Sequence, residues 1–276
     1  MKHKNQIFLL LSLLFCINTF AGPGTYYNSI DTNETCATFK STLFRLISND
    51  FHQTYGIIDS FFNKTDLKPA ESPLTGFVIV ERYCSEIPTG LDSCNFRYND
   101  RTPGARSFCF TGGTAASYCK CYAKEHVIPK AWFNGSSSFS IKEYTDMTYL
   151  WPADSKINNE KTNNPIGYVT TASSTSYNGT KVGTSNTSLN NGYNGSAVFE
   201  PIDEFKGDFA RAYLYFVTRY EDSTPAFRRN NIADDVFSAT KYPGLQPWIL
   251  QLCVKWHKQD PPNDFERKRN DSVFAT

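Results

Sequence analysis

Two neighbouring residues, Glu125 and His126, carry the first chemistry legible in this chain. An imidazole titrates near neutral pH, so His126 is equipped to take a proton from water. A carboxylate beside it can hold a hard divalent cation through oxygen. Such a cation can bind a phosphate and offset charge on a leaving oxygen. Further on runs Leu150-Trp151-Pro152-Ala153-Asp154-Ser155-Lys156-Ile157-Asn158, where the amide oxygen of Asn158 suits a neutral metal ligand. Lys124 and Lys161 lie close by in sequence and suit phosphate as point charges. Each residue also has a plain structural reading. Glu125 would be a surface carboxylate, His126 a satisfied core imidazole, Asn158 a helix-surface amide and the lysines solvated charges. Of the remaining histidines, His52 suits the surface of a helix and His257 a structural place.

The elements that must position these groups follow from patterning. Phe39, Leu43, Phe44, Ile47, Phe51 and Tyr55 recur at helical spacing and predict one helix over 36–62. Phe77 to Val80 suits a short buried strand. Residues 85–118 are rich in Gly, Pro, Asn, Arg and Cys and read as a loop tied by disulfides. Tyr122 to Ile128 reads as a strand stopped by Pro129. Residues 134–138 read as an exposed loop. Met147 to Trp151 suits a second strand, and Pro152 the start of a helix that continues to Glu160. His126 then sits on a first strand and Asn158 on a helix, the order of a ββα-metal arrangement. Neighbours on a regular strand face opposite sides, so Glu125 and His126 reach one site only if the backbone twists or bulges there.

Residues 171–196 are dense in Ser, Thr, Asn and Gly and predict a polar loop or a strand-and-turn excursion. Residues 208–220 form an amphipathic pattern with Phe209, Tyr213, Phe216, Val217 and Tyr220 inward. Residues 246–259 read as a further helix. Glu266 and Arg269 are spaced to pair on a helix face, and Arg267-Lys268-Arg269 reads as a solvated basic run that would line a nucleic-acid groove if it folded near His126. No repeat or clear linker appears, so the fold class is α+β, a mixed single domain with an embedded ββα-metal motif.

The whole chain has 276 residues, 20% charged and 40% hydrophobic, with a net charge of only +1. That excludes a strongly basic nucleic-acid coat, though not a local basic groove. Lys2 and Lys4 precede the apolar run Ile7 to Ile17, and Thr19-Phe20-Ala21 offers a cleavage site. Residues 1–21 therefore read as a secretory signal peptide, too short in its apolar run for a membrane anchor. One of the eight cysteines, Cys16, lies in that leader. The seven others predict disulfides with at least one thiol left over. The Cys119-x-Cys121 pair is closer-spaced than most zinc motifs, so disulfides lead there also.

The ordered blocks of the chain resemble the endonuclease I family of secreted and periplasmic nucleases, which carry a His-Me (ββα-metal) finger. Glu125-His126-Val127-Ile128-Pro129, Asp146-Met147-Thr148-Tyr149-Leu150-Trp151-Pro152 and Asn158 to Asn163 are similar to three of its motifs. Val198-Phe199-Glu200-Pro201, Lys206-Gly207-Asp208-Phe209-Ala210-Arg211-Ala212 and Trp256-His257-Lys258-Gln259-Asp260-Pro261-Pro262 resemble its downstream pattern. The resemblance implies a nuclease domain over 22–276 with its ββα-metal core about 119–166. It implies His126 as general base, Glu125 and Asn158 as ligands of one divalent cation (Mg²⁺, or another such as Mn²⁺ or Ca²⁺), and Lys124 and Lys161 as phosphate contacts. It further implies secretion to the periplasm or medium, a monomer without a membrane partner, and non-specific cleavage of DNA, and often RNA. Lys124 and Lys161 stand where the family often has Arg, Thr148 replaces a His, and the family's Gln-Gly-Asn-Arg-Asn-Pro-Phe-like stretch has no counterpart after Asn270. These departures motivate the alternative of a weak or inactive member that acts as a nucleic-acid-binding or secreted interaction protein.

Overall fold

The computed structural model describes residues 26–48, 53–70, 75–83, 94–102, 105–109, 116–133, 142–176, 178–195, 197–227 and 231–276. The expected leader over 1–21, the loop at 134–138 and His52 lie outside them. In chain order the elements are α1 (Cys36–Ile47), α2 (Ile58–Thr65), β1 (Leu67–Pro69), β2 (Phe77–Ile79), β3 (Ser107–Phe108), β4 (Cys121–His126), α3 (Lys142–Thr145), β5 (Leu150–Asp154), α4 (Ser155–Lys161), β6 (Val169–Thr175), β7 (Lys181–Ser185), β8 (Val198–Glu200), α5 (Lys206–Arg219), α6 (Asn231–Val236), α7 (Pro247–Gln259) and α8 (Asp264–Phe274). The strands form three small sheets, β1-β2, β3-β4-β5 and β6-β7-β8. Helices and small sheets together make the fold α+β, as the patterning predicts.

α5 anchors the core. Phe209, Tyr213, Phe216, Val217 and Tyr220 are all buried, as the helical spacing requires. The helix packs along α7, which supplies Ile249, Leu252, Cys253 and Trp256. The approach is close enough that a Cβ on Gly207 would collide with the Asp260 carbonyl oxygen. Asp260 also accepts a hydrogen bond from the Gly207 backbone N at 2.8 Å. Asp146 ties this core to the start of β5, since Tyr215 and Tyr220 donate to its Oδ2 at 2.9 and 2.8 Å.

Three expectations are corrected. The predicted helix over 36–62 is two helices. Thr54 is extended and Tyr55–Ile57 form a 3-10 turn round Gly56, so the apolar phase restarts at Ile58. Pro152 does not start a helix; it lies within β5, opposite Lys124. Because β5 is the edge of its sheet, the missing N–H of Pro152 costs no ladder bond. Helix α4 starts at Ser155 instead, capped by Asp154. Glu266 and Arg269 do not pair with each other, and Arg269 is only 4% exposed, so the basic run is not wholly solvated. The Ser- and Asn-rich stretch resolves into the β6-β7 hairpin, with irregular register between Val169 and Thr171 and between Ala172 and Ser174.

The partners that displaced the expected pair form a buried ionic network. Arg82 Nε donates to Asp208 Oδ2 at 2.7 Å. Arg269 Nε donates to Asp66 Oδ1 at 2.7 Å, and its Nη2 to the carbonyls of Met147 and Leu150 at 2.9 and 3.2 Å. Arg211 bridges Asp208 at 2.9 Å and both oxygens of Glu266 at 2.6 and 2.5 Å. Its Nη1 lies 3.2 Å from Nδ1 of His257, and arginine only donates, so His257 is an acceptor here and serves structure. Two disulfides, Cys94–Cys119 and Cys109–Cys121, fasten the loop before β4, while Cys36 and Cys253 keep free thiols. Cys84 lies outside the described residues.

Removing one partner of such a pair leaves an uncompensated buried charge. Arg269→Met is therefore expected to cost about 3–5 kcal/mol of unfolding free energy. Urea denaturation of the variant beside the parent checks it; a loss below about 1 kcal/mol would mean that Asp66 is satisfied without Arg269.

Candidate active site

The site is built on β4, β5 and α4. β4 and β5 pair antiparallel in unbroken register from Tyr122↔Asp154 to His126↔Leu150. Asp154 ends β5 and starts α4. Its Oδ1 accepts from the N–H groups of Lys156 and Ile157 at 2.9 and 3.0 Å, and its Oδ2 from Cys119 N at 2.6 Å. The same carboxylate thus caps the helix and pins the disulfide-bonded start of β4. Behind it, Glu81 Oε2 accepts from Asp154 N at 2.9 Å and from Tyr83 N at 3.0 Å.

Glu125 is 4% exposed. Tyr83 donates its hydroxyl to Oε1 at 2.6 Å, and the Lys161 ammonium lies 2.9 Å from the same oxygen. Among the described residues nothing engages Oε2. Lys161 is fully buried, and its contact with Glu125 lacks the alignment of a hydrogen bond, so its three donors are unsatisfied. Asn158, half-buried, precedes Lys161 by one turn of α4 and shares its face. Lys161 is thus brought against Glu125, and helical spacing sets Asn158 on the Lys161 face of α4. Immediately after Lys161 the chain is strained, because Thr162 is a β-branched residue held at φ 49°.

His126 leaves the opposite face. Its Nε2 lies 2.8 Å from the Tyr144 carbonyl oxygen. A carbonyl only accepts, so Nε2 carries the proton and the neutral ring keeps its lone pair at Nδ1. The ring lies among Tyr144, Tyr55 and Phe133, with centroids 4.7, 6.1 and 6.2 Å away. Burial, with repulsion from Lys130, Lys161 and Lys124, lowers its pKa to about 4, although the Tyr144 carbonyl favours the charged form. Lys124 shares this face. Its ammonium donates to the Tyr55 carbonyl at 3.0 Å and to Asp59 Oδ1 at 3.1 Å, and sits 4.3 Å over the Tyr55 ring.

No bulge interrupts β4, so the expected irregularity at Glu125 and His126 is absent from the ladder. Glu125 and His126 therefore stand on opposite faces of β4; Lys161 touches Glu125, and its charge also disfavours protonation of His126. Cys94, Cys119 and Asp154 also converge, but the two sulfurs are bonded to each other and both Asp154 oxygens are engaged, so this cluster offers a metal nothing. Spacing gave no sign of Tyr83, Tyr55 or Tyr144. An Asp just before a short helical run is the signal that could have marked Asp154 as the cap, where the patterning began the helix at Pro152 instead.

Residues 35–276 match the family described as Endonuclease I. The chain is also similar to an extracellular ribonuclease of Bacillus subtilis (strain 168), 28% identical over 267 residues that cover 96% of this chain and 76% of that protein. An extracellular ribonuclease of Bacillus amyloliquefaciens is 26% identical over 262 residues, covering 94% of this chain and 73% of its own length.

The buried neutral ring makes a stability prediction. An ordinary His titrates near 6.5, so between that pH and about 4 the unfolded chain binds the proton that folded His126 refuses. The folded protein should lose up to about 3 kcal/mol from this group as pH falls from 7 to 4. The quantity to measure is the difference between parent and His126→Gln in urea melts at pH 7 and pH 4, in EDTA, where other groups cancel. A difference that does not change with pH would show that His126 titrates normally.

Proposed function

The chain belongs to the endonuclease I family, and we propose that it is a secreted, metal-dependent nuclease that hydrolyses phosphodiester bonds of RNA and DNA without sequence preference. The observation that carries this reading is the hydrogen bond from His126 Nε2 to the Tyr144 carbonyl at 2.8 Å. It presents an unprotonated Nδ1 from a ring that stays neutral well below pH 7. A general base must be in that state. With substrate bound, Nδ1 takes the proton of the water that attacks phosphorus.

The residues present fit a divalent cation. Among the described residues Glu125 Oε2, on a buried carboxylate, has no partner, and the Asn158 amide on the Lys161 face of α4 would supply a second, neutral oxygen. Hard oxygen donors of this kind suit Mg²⁺, Mn²⁺ or Ca²⁺, with water and phosphate completing the shell. Such a cation supplies positive charge to the phosphate and to the departing oxygen. Lys161, whose donors lack aligned acceptors, would gain them from a phosphate oxygen. Lys124 reaches a phosphate only by giving up Asp59. A site that grips backbone in this way reads charge and geometry, not base edges. The names of the two relatives, both extracellular ribonucleases, favour RNA among the substrates.

Three observations support secretion: the leader-like residues 1–21, the extracellular relatives and the two disulfides, which persist in oxidising compartments. Among the described residues no helix is long and apolar enough to cross a membrane. One contact favours the alternative of a weak or inactive family member. Lys161 already places a positive charge on Glu125, where a catalytic cation would compete with it.

Purified protein should nick plasmid DNA and degrade RNA with Mg²⁺ and stop in EDTA. His126→Ala should lower the rate by about 10²–10⁴. Full activity in EDTA, or an unaffected His126→Ala variant, would remove this mechanism. Retained nucleic-acid binding with no cleavage in Mg²⁺, Mn²⁺ or Ca²⁺ would establish the alternative.

A further inference from the structure

We infer that Tyr83 is a positioning residue for metal binding, holding the Glu125 carboxylate so that Oε2 faces the cation. The inference rests on the reading of Glu125 as a metal ligand. The Tyr83 hydroxyl donates to Oε1 at 2.6 Å, at the short end for a hydrogen bond to a carboxylate. A bond to one oxygen fixes the plane of the carboxylate and leaves the other oxygen as the directed donor. Oε2 has no partner among the described residues.

Tyr83 is itself held at three points. Its backbone N–H donates to Glu81 Oε2 at 3.0 Å, and its carbonyl accepts from the Thr180 hydroxyl at 3.0 Å. Its ring lies against Phe199 and Phe209, with centroids 4.9 and 5.8 Å away. The residue is 1% exposed, so water does not compete for the hydroxyl. Glu81 also holds the N–H of Asp154, which caps α4, the helix that carries Asn158. Through that one carboxylate, the residue that orients the first ligand and the helix that presents the second share a single anchor. Outer partners of this kind set ligand direction and commonly change metal affinity by 10–100-fold when removed.

Neither Tyr83 nor Glu81 stands in a block of sequence that pointed to chemistry. Tyr83 follows β2 by a few residues and looks like an ordinary core aromatic. Its hydroxyl, however, needs a partner once buried, and the partner it takes is the carboxylate of the site. Phenylalanine would fill the same volume without that hydroxyl.

The test is calorimetric titration of the full chain with Mn²⁺ and Mg²⁺, parent beside Tyr83→Phe, with melting in EDTA to confirm the fold. Tyr83→Phe should weaken metal binding by about 10–100-fold. In the plasmid assay the metal concentration for half-maximal rate should rise by the same factor, while the rate at saturating metal recovers most of the parent value. A purely structural role would lower the melting temperature and leave the metal constant unmoved. If Tyr83→Phe does not fold, Thr180→Val decides: it keeps the hydroxyl but frees the Tyr83 carbonyl, and should weaken metal binding severalfold. Metal affinity equal to the parent in the folded variant overturns the inference alone. A parent that binds neither cation overturns the metal-dependent reading and this inference together.

Discussion

The site depends on a clamp of buried arginines and carboxylates. Arg269 holds the carbonyls of Met147 and Leu150 and rests on Asp66, while Arg82 lies 4.1 Å over the Trp151 ring and pairs with Asp208. Leu150 and Trp151 are the ladder partners of His126 and Glu125. The clamp therefore grips β5 at the two positions paired with the candidate residues on β4. It also reaches the site by a second route, because Arg82 immediately precedes Tyr83. With the Arg82 side chain fixed at Asp208, the backbone leaving it delivers the Tyr83 hydroxyl to Glu125. Buried ion pairs contribute little net stability against apolar replacements. Their effect here is geometric, since a guanidinium with several fixed acceptors tolerates little displacement of the strand it holds.

That geometry explains which parts of the fold were legible in the sequence. α5 and α7 were legible because their burial follows the apolar period. So were β2, though its Phe77 is exposed, the disulfides and the mixed α+β class, whereas the loop expected over 85–118, only partly among the described residues, contains strand β3. The helix over 36–62 failed because α1 ends at Ile47 and, after the extended Thr54 and the Tyr55–Ile57 turn, a new helix starts at Ile58, a break that spacing alone does not mark. Pro152 was misread because its two roles, first turn of a helix and edge-strand residue, look identical until the sheet order is known. Glu266 and Arg269 were misread for a related reason. Helical spacing permits their pairing, but each found a stronger partner from a distant element, Arg211 and Asp66. Long-range charge pairing leaves no local trace in sequence.

The candidate site divides along the same line. Glu125, His126 and Asn158 stand out as candidates because their residue types suggest the chemistry proposed for them. Tyr83, Tyr144 and Glu81 could not, since a tyrosine hydroxyl, a backbone carbonyl and a capping carboxylate acquire meaning only from what they touch. The alternation problem was visible in advance, and the regular ladder keeps it, with Glu125 and His126 on opposite faces of β4. His126 is the last residue of β4, and the chain turns at Pro129 just beyond it. Lys161 touches Glu125, and its charge disfavours a proton on His126.

Lys161 also supplies the countercharge of Glu125. A carboxylate that is 4% exposed needs a countercharge, and a fully buried ammonium without aligned acceptors is a poor permanent one. A guanidinium in its place would bind both oxygens of Glu125 in a planar fork and occupy Oε2 as well. An ammonium makes only a point contact, here with Oε1, and its flexible stem allows it to withdraw. On the proposed reading, lysine at 161 would suit two arrangements of the same pocket: the one seen, in which it lies against Glu125, and one in which a divalent cation takes its place and the ammonium turns to a phosphate. Tyr83, bonded to Oε1 and anchored at both ends of its backbone, is the part that has no need to move between them.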